Sequence, residues 1–153
     1  MNDHLKLLAE ASSSIEEEMP LRLIDTALQQ TIEVETRVQS AISLILINES
    51  HTARALWWGL ARVLSQPLHT LMLISEAEFG PVYAGASVAQ LRKWQLEQLA
   101  VIVMHVDDTC YAKDQTLLAV ALETRVMPWL ANLKASLDLL RETQLLGLML
   151  RQP

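Results

Sequence analysis

Glycine and proline are scarce in this chain, four and five among 153 residues. With so few residues that break regular structure, a fold of many short strands and tight turns is excluded. Cysteine is scarcer still. Cys110 stands alone, so no intrachain disulfide can form, which fits a reducing compartment and makes the cytoplasm the expected location. A dense run of Lys and Arg is also missing. The 12 basic and 18 acidic side chains leave a formal charge of −6, and nothing gathers the positive charge that displaces counterions from DNA or RNA. The longest stretch free of Asp, Glu, Lys and Arg runs from Val63 to Ser75 and is interrupted by Pro67. It falls short of the ~18–20 apolar residues that a membrane span needs. Met1 to Pro20 carries Asp3, Glu10 and Glu16–Glu17–Glu18 where a signal peptide would show a basic end and an apolar stretch.

Catalytic and metal signatures are lacking too. No Gly-x-Ser-x-Gly and no glycine-rich phosphate loop occurs, and Glu49–Ser50–His51 has the wrong spacing for the Glu-x-x-His of a di-iron bundle. The run His105–Val106–Asp107–Asp108–Thr109–Cys110 reads as a ligand cluster only as letters. His105 and Cys110 lie about 140° apart on a regular helix, and the well-facing pair His105/Asp108 supplies two ligands where a site needs more. Cys110 shares a stripe with Val103 and Val106 and reads as a buried, inert thiol. No metal and no cofactor is expected.

What the chain does have is helical periodicity. From Leu21 to Leu150 apolar residues recur at three- and four-residue spacing, in a sequence that is 51% hydrophobic and 20% charged. This predicts a single all-α domain over 1–153, an antiparallel bundle of four main helices with short additional ones. A domain of this length buries roughly 68–70% of the surface its unfolded chain exposes. The apolar excess leaves helix surface for a protein partner or a second copy, most simply a homodimer.

The breakers and caps place the helices. A short helix is expected over Asp3 to Ala11, closed by Ser12–Ser13–Ser14, with Ser13/Glu16 and Ser14/Glu17 at capping-box spacing. Pro20 suits the first turn of a long helix reaching about Asn48. A third helix covers Ser50 to Ser65; Pro67 interrupts it and a shorter helix continues to about Glu78. Phe79 to Ala86 is the clearest loop, and Ser87 with Gln90 caps a helix lasting to about Tyr111. Lys113–Asp114 forms the next turn with Asp114 as N-cap, and the last helix runs to about Leu148, kinked at Pro128. Glu-Thr-Arg-Val occurs at 35–38 and again at 123–126, an echo that a chance match explains.

Some residues sit oddly on these helices. Leu21, Ile24, Leu28, Thr31, Val38, Ile42 and Ile45 form one stripe with Glu35 in its middle. A carboxylate there must be paired, with Arg125 or His105 as expected partner, unless the seam splays and water reaches it. The helix from Val88 to Tyr111 is apolar nearly all round and is expected to be the most buried one. One face carries Leu91, Trp94, Gln98, Val101, Ile102 and His105. His105 is there either a satisfied core histidine or a ligand to haem or another apolar small molecule. On the third helix Ala53, Leu56, Leu60 and Val63 mark the core side, and Trp58 faces away between Arg54 and Arg62. Trp flanked by Arg is the composition of an interface hot spot; a second core layer is the competing explanation.

Two functions follow as expectations. The first is a non-enzymatic interaction or regulatory bundle, acting as an oligomer or on a protein partner through Arg54, Trp58 and Arg62. The second is a small-molecule sensor with an interhelical pocket around Glu35, Trp94, Gln98 and His105. An enzyme would need Glu35 and His105 to converge as acid and base.

Overall fold

Side chains spaced alternately three and four residues apart stay on one stripe of an α-helix and offer a neighbour a continuous seam. Helix α1 (Asn2–Ile47) buries Ile24, Ala27, Thr31, Val34, Val38, Ala41 and Ile45 in this alternation. Helix α2 (Ser50–Val63) and the short α3 (Gln66–Leu71) carry one seam between them, Ala53, Trp57, Leu60, Leu64, Leu68 and Leu71. It passes Pro67 undisturbed because that residue lies in the first turn of α3, where a missing N–H costs no helical bond. Helix α4 spans Val88–Cys110. Then α5 (Thr116–Ala121), a π-helical turn (Leu122–Val126) and α6 (Met127–Leu150) run on as one helix. The computed structural model describes residues 2–47, 50–74, 88–111 and 114–150, with side chains from Met19 in α1 and from Ala53 in α2. Among the described residues there is no strand. No helix among them is long and apolar enough to cross a membrane.

Directions follow from cross-helix bonds. Arg141 pairs with Asp25 at 2.7 Å and Lys134 with Glu35 at 3.3 Å, so α6 runs antiparallel to α1. On the opposite side Arg54 Nε donates to the Cys110 carbonyl at 2.7 Å and Trp57 Nε1 to Asp107 Oδ1 at 2.6 Å, which sets α2 antiparallel to α4. Helix α1 packs on α2, and Gln95 of α4 reaches Asn132 of α6. The four long helices therefore close a ring, α1–α2–α4–α6, each opposed to its neighbours, the up-and-down bundle that the periodicity predicts. Helix α3 is tied to α1 through Thr70 and Gln30 and to α4 through Arg92 and the Leu71 carbonyl.

Several local expectations need correction. Helix α1 is continuous through Ser12–Ser13–Ser14 and holds Pro20 in its interior, so those serines do not end one helix and start another. Its seam is also turned from the expected stripe: Ala27, Val34 and Ala41 are buried, while Leu28, Ile42 and Glu35 flank it. Small Ala27 and Ala41 let the neighbouring helices approach, a preference that counting large apolar residues overlooks. Helix α4 is not the most buried element: its seam is narrow, and Trp94, Val101 and Met104 stand 55–68% exposed. That position belongs to α6, where Leu130, Leu133, Leu137 and Leu140 are 0–1% exposed.

The irregularity expected at Pro128 is the π turn before it, where the Met127 N–H bonds to the Leu122 carbonyl, five residues back. In a regular helix the Pro128 ring would press on the carbonyl of Thr124, and the wider turn relieves this. It also keeps Leu118, Leu122, Val126 and Leu130 on the core side, although four-residue steps would drift by ~40° each on a regular helix. The predicted cap at Asp114 is present, its Oδ1 accepting the Thr116 N–H at 2.9 Å. The 79–86 loop, the Ser87 cap and the turn at Lys113 lie outside the described residues.

Candidate functional site

Helix α4 meets the rest of the bundle through α3, α5 and the π turn, and beside its middle an open groove separates it from α6. One wall is a single helical face of α4, Trp94, Glu97, Gln98, Val101 and Ile102; the other is Arg125, Pro128, Trp129 and Asn132. The cavity holds about 540 Å³, within the range of small-molecule sites. The π turn contributes Arg125, and turns of this kind recur at functional sites.

The groove is apolar with a polar seam at its base. Gln95 occupies a seam position of α4 among Leu91 and Leu99 and is only 5% exposed. Its Nε2 donates to Asn132 Oδ1 at 3.3 Å, and the Ser136 hydroxyl approaches the same oxygen at 3.5 Å. Gln95 Oε1 and Trp129 Nε1 are both buried and have no hydrogen-bond partner among the described residues. One is an acceptor and the other a donor, and each unmet group costs about 1–3 kcal/mol. The two rim charges, Glu97 and Arg125, are of opposite sign.

The residues expected to line a pocket separate into two sets. Trp94 and Gln98 line the groove; Glu35 and His105 do not. Glu35 is partly buried and paired, but with Lys134, in place of the expected Arg125 or His105. Lys134 and Asn132 lie about 200° apart around α6, so the Glu35 pair belongs to the α1 side and the groove to the α4 side. His105 is exposed, so it is not the core histidine of the alternative reading. Acid–base convergence of Glu35 and His105 is thereby lost. Gln95, Trp129 and Asn132 were not singled out by sequence. A signal for Gln95 did exist, an amide on a stripe of Val88, Leu91 and Leu99, the same kind of misfit that singled out Glu35.

On α2 the adjacent tryptophans divide. Trp57 is fully buried and bonded to Asp107, whereas Trp58 is 53% exposed. Arg54 is engaged at the end of α4, where a guanidinium satisfies a terminal carbonyl and opposes the negative end of the helix dipole. Arg62 is exposed one turn beyond Trp58. Cys110 is buried, and burial pushes its thiol pKa up; nearby Asp107 adds to the shift and Arg54 opposes it. A thiol held protonated is a poor nucleophile. Among the described residues no three of His, Cys, Asp and Glu come together as a metal site. Comparison with protein-family models, curated proteins and solved structures yields no match for this chain.

Proposed function

We propose that this chain is a binding protein of the sensor kind, holding a small, largely apolar molecule in the α4–α6 groove. One observation carries the reading: two buried polar atoms, Gln95 Oε1 and Trp129 Nε1, lack partners at the base of a groove with otherwise apolar walls. A native core rarely leaves such groups unmet, and a bound molecule is one way to meet them. The test is a thermal-shift screen of a small-molecule library on the wild type and on Trp94→Ala. Trp94 is 59% exposed, so its removal leaves the fold intact while stripping one groove wall. A ligand at a hundred times its Kd stabilises by ~2.7 kcal/mol, which raises Tm by roughly 5–11 °C. Compounds that stabilise the wild type and lose that effect in Trp94→Ala support the proposal. A screen without such compounds refutes it.

A second reading, association with a protein partner or a second copy of the chain, rests on Trp58, a large side chain half-exposed on α2 beside Arg62. The commitment here is to a homodimer through α2 with a regulatory role in the cytoplasm, the compartment suggested by the lone cysteine. Light scattering across a concentration series tests it: a dimer that Trp58→Ala converts to monomer supports the reading, and a wild-type monomer throughout ends it.

A further inference from the structure

We infer that the groove selects neutral aromatic compounds whose polar end both donates and accepts a hydrogen bond, a primary carboxamide or a hydroxyl. This rests on the ligand-binding reading and specifies its chemistry. Gln95 is 5% and Trp129 4% exposed, and Trp129 lines the groove. The bond from Gln95 Nε2 to Asn132 Oδ1 fixes which way the Gln95 amide points, since turning it over would set two acceptor oxygens against each other. Gln95 Oε1 therefore needs a donor and Trp129 Nε1 an acceptor. A carboxamide or a hydroxyl meets both needs. A carboxylate has no proton for Gln95 Oε1, and an ammonium has no lone pair for Trp129. Charge on the ligand gains nothing at the rim, where Glu97 and Arg125 oppose each other. The body of the ligand faces Trp94, Val101, Ile102, Pro128 and the Trp129 ring, surfaces suited to a flat aromatic skeleton of two rings.

Four probes with one skeleton separate the possibilities: 2-naphthamide, 2-naphthol, 2-methylnaphthalene and 2-naphthoate. Binding is followed by proton–nitrogen NMR of the 15N-labelled protein, which reports the indole N–H of Trp129 directly, its signal assigned by its absence in Trp129→Phe. The amide and the naphthol are expected to move that signal downfield in a saturable way. They should bind at least about tenfold more tightly than 2-methylnaphthalene, the ratio that one hydrogen bond near the top of the usual range supplies. Gln95→Leu should remove most of that advantage while leaving 2-methylnaphthalene unaffected. If 2-methylnaphthalene binds as tightly as the amide, the groove is an apolar site, and the ligand-binding reading survives while this inference falls. Tightest binding of 2-naphthoate would make Arg125 the anchor and also overturn it. If no probe moves any groove signal, both readings fail together. Should Gln95→Leu not fold, the ranking of the four probes on the wild type decides alone.

Discussion

Replacing Trp57 and Trp58 separately by alanine gives two neighbouring perturbations with unequal consequences. Trp57 is 0% exposed and donates to Asp107 Oδ1 at 2.6 Å. A fully buried aromatic side chain removes ~150–250 Å² from water, which at ~25 cal/mol per Å² amounts to roughly 4–6 kcal/mol. Measured truncations of this type cost about 3–5 kcal/mol, cavity included. Asp107 is only partly buried, so water recovers its lost bond and adds little. Trp58 is 53% exposed, and the same arithmetic gives roughly 2–3 kcal/mol as an upper bound. The β-carbon retained by alanine and the compactness of the unfolded chain reduce this to about 1 kcal/mol. Urea unfolding followed by far-ultraviolet circular dichroism measures both without using tryptophan as the probe. Trp57→Ala is expected to lose about 3–5 kcal/mol and Trp58→Ala about 1 kcal/mol. Equal losses, or a larger one at Trp58, would refute the placement of α2 and the seam that orients it.

Three further outcomes are expected. Glu35→Gln and Lys134→Met, taken singly and together, should reveal a coupling of about 0.2–1 kcal/mol, because the pair is joined at 3.3 Å with one partner more than a third exposed; zero coupling removes the pair. Arg54→Ala should raise hydrogen exchange in the last turn of α4 without touching its first turns, since the lost bond is the one to the Cys110 carbonyl; protection unchanged at that end contradicts it. Because burial raises the Cys110 pKa in the folded state, the stability it contributes is present below the unfolded thiol value of about 8.5 and lost as pH rises through the folded one. Cys110→Ala should therefore flatten the alkaline fall in stability, and a thiol reagent should label the wild type far faster in urea than in buffer; rapid labelling of the native protein would refute its burial.

Helical class, chain direction and most boundaries belong to the sequence, because they depend on residues within one turn of each other. The starts of α2 and α4, the Asp114 cap and the disturbance at Pro128 were all legible from caps, breakers and period. The break expected at Ser12–Ser13–Ser14 was not found, because those cap signals are weak and a helix crosses them where nothing else stops it. Which face each helix buries was decided only when the helices met. Ala27 and Ala41 won the α1 seam over larger neighbours, Trp57 went inward where Trp58 did not, and Lys134 took Glu35. Periodicity is a property of one helix, whereas burial is a property of two. The same reason hid the groove. Helix α4 shows apolar residues on two faces, and only its position beside α6 turns one of them into a cleft, with Gln95 and Trp129 at the base.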